Sequence, residues 1–195
     1  MVGGPETVAN ERATEDIVRE HLKAHSTPGQ RLEEQTSSVP AIKNALAAAS
    51  KHGPGIGKPE FVVTFPDTAP KLVIVIECKA NTARHESPNR DKPAAFAVDG
   101  VLHYAQHLAK HFDVIAIAVT GTNLNELKVS TFRHLLGTSS PELLPSPYGP
   151  VTQLLPVEVY QELLTYDPAV RARTEAELIA FSRTLHNYMR DYAKL

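Results

Sequence analysis

Two nearly unbroken apolar runs constrain this chain most: Leu72-Val73-Ile74-Val75-Ile76-Glu77-Cys78 and Val114-Ile115-Ala116-Ile117-Ala118-Val119. A strand with one wet face alternates apolar and polar residues, and these do not. They need cover on both faces, which calls for helices on each side of a sheet. The fold class expected is therefore α/β, a mixed central β-sheet flanked by helices. No apolar run approaches the roughly 18 residues of a membrane span.

The rest of the chain divides around these runs. Residues 1–10 are rich in Gly and Pro and read as a flexible lead-in. Ile17, Val18, His21 and Leu22 share one face of a helix predicted over 14–25, stopped by Thr27-Pro28-Gly29. A second helix is predicted over 39–51, with Pro40 in its first turn and Gly53 past its end. Phe61, Val63 and Phe65 mark a strand opened by Glu60, and 66–70 reads as a turn. The polar stretch 82–93 reads as a mobile loop. A helix over 94–111 follows, and then the second apolar run, closed by Gly121. Residues 126–132 are expected to form an edge strand. Five prolines (Pro141, Pro145, Pro147, Pro150, Pro156) make 137–156 an extended connector. A short helix near 157–165 and a longer one from Thr174 complete the chain, Thr174 and Glu177 having capping-box spacing. The domain division is thus a core over 11–136, the connector, and C-terminal helices over 157–195. The last helix carries no Gly or Pro stop, as expected where a chain leads into a further region.

Twenty Lys+Arg against 22 Asp+Glu give a net charge of −2, which excludes a polycation that coats nucleic acid non-specifically. One cysteine, Cys78, forbids an internal disulfide or a multi-cysteine zinc site and fits a reducing cytoplasm.

The chemistry lies in Gly57-Lys58-Pro59-Glu60 and Glu77-Cys78-Lys79. Alternation puts Glu77 and Lys79 on one face of their strand and Cys78 on the other, where it serves as apolar filler. A short turn at 66–70 makes the two strands an antiparallel hairpin, so the start of one lies beside the end of the next. Two carboxylates and an ammonium then converge at one end of a sheet. An unpaired buried carboxylate costs several kcal/mol, about the penalty of any desolvated ion. A divalent cation removes the repulsion between two, and hard oxygen ligands suit Mg2+.

Pro59-Glu60 followed by Glu77-Cys78-Lys79 resembles the PD-(D/E)XK nuclease motif on its β-hairpin. With Ala97-Val98-Asp99-Gly100-Val101-Leu102-His103-Tyr104-Ala105, the stretch over about 14–135 is similar to the N-terminal nuclease segment of type I restriction subunits. It is equally similar to that of single-chain restriction enzymes fused to an N6-adenine DNA methyltransferase. That resemblance implies a restriction-endonuclease-like core and Mg2+-dependent hydrolysis of double-stranded DNA, with Mn2+ able to substitute. Its setting would be prokaryotic, cytoplasmic and one of phage defence. Methyltransferase and target-recognition regions would lie in the same or a partner chain. Glu60, Glu77 and the Cys78 carbonyl match the metal ligands, and Lys79 the catalytic lysine. Glu15 is a candidate additional acid, with Glu34 and Gln35 as rivals. Tyr104 and Gln106 match loosely a helix Tyr or Gln near such sites. Glu60 stands where Asp is usual, one methylene longer. Lys58, Arg84, His85, Arg90 and Lys92 are candidate phosphate contacts, and duplex binding by this chain is expected to be weak and without sequence preference.

Other readings stand beside this one. A nuclease-fold module without activity, used for DNA binding or docking, would keep the fold and lose the chemistry. A Schiff-base Lys79 would want an apolar pocket rather than acids. His103, His107 and His111 read as a solvated helix edge, and Gly53-Pro54-Gly55-Ile56-Gly57 precedes a strand rather than a helix, unlike a phosphate loop.

Overall fold

The computed structural model of the chain describes residues 8–50, 57–65 and 71–193. In chain order it contains α1 (Val8–Ala24), β1 (Arg31–Glu34), α2 (Pro40–Ala47), β2 (Phe61–Thr64) and β3 (Leu72–Lys79). There follow α3 (Ala97–Leu108), β4 (Asp113–Thr120), β5 (Lys128–His134), β6 (Glu142–Leu143), α4 (Val157–Thr165) and α5 (Pro168–Ala193). The six strands form one sheet in sequence order. Among the described residues only β3 and β4 run parallel, joined through α3; every other neighbouring pair is antiparallel. This is the mixed α/β sheet expected.

The apolar runs are β3 and β4, and their side chains divide by parity between two cores. Ile74, Ile76, Cys78, Ile115, Ile117 and Val119 pack with Val18 and Leu22 of α1 and with Val157, Tyr160 and Leu164 of α4. Val73, Val75, Val114, Ala116 and Ala118 pack with Ile42 and Leu46 of α2 and with Val98, Val101, Tyr104 and Leu108 of α3. Both faces are covered, so both parities are apolar. The smaller residues of β4 face α3, which lets that helix lie close.

Several boundaries differ from expectation, each for a local reason. The helix expected from Thr14 already runs from Val8, so 8–10 are helical rather than a lead-in; residues 1–7 lie outside the described residues, as do Gly53 and the turn at 66–70. β1 has one apolar residue in four, Leu32, and gives no strand signal; it is an edge strand formed by register with β2, and its charges discourage further pairing. β5 is not an edge, because Phe132 and Arg133 pair with Leu143 and Glu142 of β6 inside the proline-rich stretch. α5 begins at Pro168, six residues before Thr174. Asp167 Oδ1 accepts the N–H groups of Ala169 (2.9 Å) and Val170 (3.3 Å), so an Asp-Pro start prevails over the Thr174 capping box.

The polar stretch 82–93 is held, not mobile. One 3₁₀ turn over Thr82–Arg84 follows Asn81, whose side chain accepts the Ala83 N–H. The stretch is tied down by Asp99 in the first turn of α3, which accepts from the Ser87 N–H (3.1 Å), the Ser87 hydroxyl and the Lys92 N–H (2.9 Å). His85 and Ser87 are buried.

Candidate active site

Register brings the acids together. β2 and β3 pair from Thr64↔Val73 to Phe61↔Ile76, and one residue further sets Glu60 opposite Glu77. Glu77 is 2% exposed at the end of β3, and its Oε1 lies 3.2 Å from Lys79 Nζ. The same ammonium is 3.2 Å from Glu11 Oε1 of α1. The Lys79 carbonyl accepts the Gly121 N–H (3.2 Å) and so turns toward β4. Alternation along the strand turns the Cys78 carbonyl away from β4 and toward the β2 side, beyond the last β2–β3 pair at Phe61↔Ile76. Cys78 Sγ lies in the opposite, α1-facing core, and burial, with Glu60 and Glu77 nearby, pushes its thiol well above the ordinary value.

The charges are held under tension. Burial, then the neighbouring Glu77 and Glu15, push the Glu60 carboxyl up to about 7. Glu15 is raised too, by burial that Arg19 only partly offsets. Burial pulls the Lys79 ammonium down, but Glu77 and Glu11 outweigh it and hold it above the usual lysine value.

Glu60 opens into a cleft of about 670 Å3 whose wall includes Glu11, Arg12, Glu15, Glu34 and Gln35. The rival acids differ here. Glu34 is engaged by Arg19 through two hydrogen bonds, 2.7 and 3.1 Å, and that hydrogen bonding holds its carboxyl below the usual range. Glu15 is only 3.9 Å from Arg19 and keeps more freedom. Arg19 also binds Asp16 and lies over the Phe61 ring.

Tyr104 lies under the hairpin. Its buried hydroxyl accepts the Lys58 N–H at 3.2 Å, and burial, then Glu77, raise its pKa. A Cβ on Gly57 would sit 2.5 Å from the Ala49 carbonyl oxygen and 2.8 Å from the Tyr104 ring, so only glycine permits this approach. Gln106, two residues on and about 200° round the helix, is exposed and away from Tyr104.

The candidate phosphate contacts separate in the same way. Lys58, Arg84, Arg90 and Lys92 are exposed. Arg84 rests over Phe96, and Arg90 lies over Phe132 and 2.6 Å from Glu86. His85 is not a surface contact. It is 1% exposed, with Nδ1 3.0 Å from Thr120 Oγ1 and Nε2 2.8 Å from Ser130 Oγ. Burial, then Lys128, lower its pKa to about 4, so it is neutral at pH 7.

Sequence reading missed Glu11 and Arg19. The i, i+4, i+8 spacing of Glu11, Glu15 and Arg19 was a signal for one charged helix face. Among the described residues no cluster of three or more His, Cys, Asp or Glu side chains stands ready to hold a metal. The expected donor set is of another kind: two carboxylates, one carbonyl and water. All are hard oxygens, and burial, with Glu77 and Glu15 nearby, disfavours the charged form of Glu60, which a cation would favour.

No protein-family model matches the chain. No solved structure matches it either. In an alignment that covers 60% of its length, it is 32% identical to the type II restriction enzyme and methyltransferase RM.BcgI of Heyndrickxia coagulans. The chain spans 20% of that protein's length, so the relation is to one part of a restriction–modification protein. Among the described residues no helix is long and apolar enough to cross a membrane.

Proposed function

We propose that this chain is a PD-(D/E)XK-type nuclease segment of a restriction–modification enzyme, hydrolysing phosphodiester bonds of duplex DNA with Mg2+. The observation that carries the reading is the gathering of Glu60, next after the last β2–β3 pair, with Glu77 and with Lys79 3.2 Å from Glu77. The relation to RM.BcgI supports it.

Glu60, Glu77 and the Cys78 carbonyl would hold the cation, which when bound supplies Lewis acidity and a more acidic water. Glu60, half protonated near neutral pH without a cation, gives up its proton on binding one. The Lys79 ammonium orients the attacking water and stabilises charge building on the phosphoryl oxygens. Tyr104, through the Lys58 N–H, fixes the backbone that carries Glu60. Arg84, Arg90, Lys58 and Lys92 present cations for phosphates, and methyltransferase and recognition regions would act alongside. Calorimetric titration with Mn2+ tests the site. Wild type should bind and Glu77→Ala should bind about tenfold or more weaker, as loss of one ligand predicts; equal affinities contradict the assignment.

A further inference from the structure

Among the described residues, Gln35 is one of two non-glycine residues with positive φ, at +58°. Left-handed backbone is unfavourable for a side chain of this kind, and it persists where surrounding contacts impose it. Here they do: the Gln35 N–H donates to the Pro59 carbonyl (3.1 Å) and also approaches the Glu60 carbonyl (3.4 Å). The β1–β2 pairing ends at Glu34↔Phe61 and the β2–β3 pairing at Phe61↔Ile76, so Gln35, Glu60 and Glu77 follow directly on the last paired residues, at one end of three neighbouring strands. The left-handed turn breaks the regular pairing there, in the manner of a bulge that re-aims a side chain, and Gln35 lines the cleft with Glu60. Its side chain is exposed.

The cleft wall explains why an amide suits this position. A guanidinium beside Glu60 would pair with it, as Arg19 pairs with Glu34, and withdraw the carboxylate from other work. A neutral amide donates to an anion and leaves Glu60 uncommitted. We propose that Gln35 is a substrate-contacting residue, its side-chain NH2 donating to a non-bridging phosphate oxygen of DNA seated over Glu60 and Glu77. This rests on the nuclease reading for the identity of the ligand.

The test compares Gln35→Gly, Gln35→Glu and Gln35→Asn, reading Tm and affinity for a short fluorescent DNA duplex. Glycine relieves the backbone and deletes the amide; Tm should hold or rise by about 3 °C while binding weakens about tenfold, as for a hydrogen bond to a charged group. Gln35→Glu keeps the shape, removes the donor, and should weaken binding at least as much. Asn tolerates left-handed backbone and keeps the amide, so Gln35→Asn should stay within about threefold of wild type. Wild-type affinity in Gln35→Gly, or a binding loss matched by a fall in Tm, overturns the proposal. If wild type binds duplex but never cleaves it, the nuclease reading falls while this comparison stands; if wild type does not bind duplex, both fall.

Discussion

His85, a candidate phosphate contact by sequence, is in the structure a buried strut between Thr120 and Ser130. Its folded pKa of about 4 lies below the unfolded value, so the unfolded chain binds the extra proton between them. Stability should therefore be fully present above about pH 6.5 and fall by about 3 kcal/mol as pH drops toward 4. Denaturant titrations of wild type and His85→Gln check this: the variant's stability should change less over that window, and parallel curves would contradict it. At this scale the sequence was readable where one strand's parity decides. Glu77, Lys79 and Cys78 could be assigned to opposite faces because β3 is regular. Gln35 and Glu11 could not be placed, because their neighbours across the cleft come from other elements and Gln35 departs from regular backbone.

Elements buried on two faces declared themselves; elements held by polar contacts did not. β3, β4, α3 and α4 were visible as apolar runs or periodic faces. β1 was invisible, its one apolar residue giving no alternation. The 82–93 segment looked mobile because its composition is polar, yet polar groups order a loop when they find partners. Asp99 supplies three hydrogen bonds from inside α3, and they more than offset the effect of burial, holding its carboxyl below the usual range. Asp99→Ala should cost about 2–4 kcal/mol, the loss of a charged acceptor together with unmet donors. The amides of Ser87 and Lys92 should exchange faster in hydrogen-exchange measurements. Unchanged exchange there would mean that the loop is held by other contacts. Under the proposed nuclease reading, the ordered loop would present Arg84, Arg90 and Lys92 to DNA as a preformed set, with no ordering cost on binding.

For the whole molecule, the sheet's two apolar cores account for the fold, and the charged residues gather where the β2–β3 hairpin and α1 meet. α5 leaves this body after Asp113 has bound Arg173, and beyond it Leu178, Phe181, Leu185, Tyr188 and Tyr192 stay exposed at heptad-like spacing. The sequence showed a helix there, but a single chain's pattern says nothing of what meets an uncovered face. The activity proposed for the hairpin site is hydrolysis of DNA using a cation and Lys79. Its most direct measurement is cleavage of duplex DNA by wild type and Lys79→Ala, each with Mg2+ and with chelator. Wild type should cleave only with Mg2+, and Lys79→Ala should bind DNA and metal as before yet cleave about 10²–10⁴ times more slowly. Cleavage that survives the chelator, or a fully active Lys79→Ala, would contradict the account.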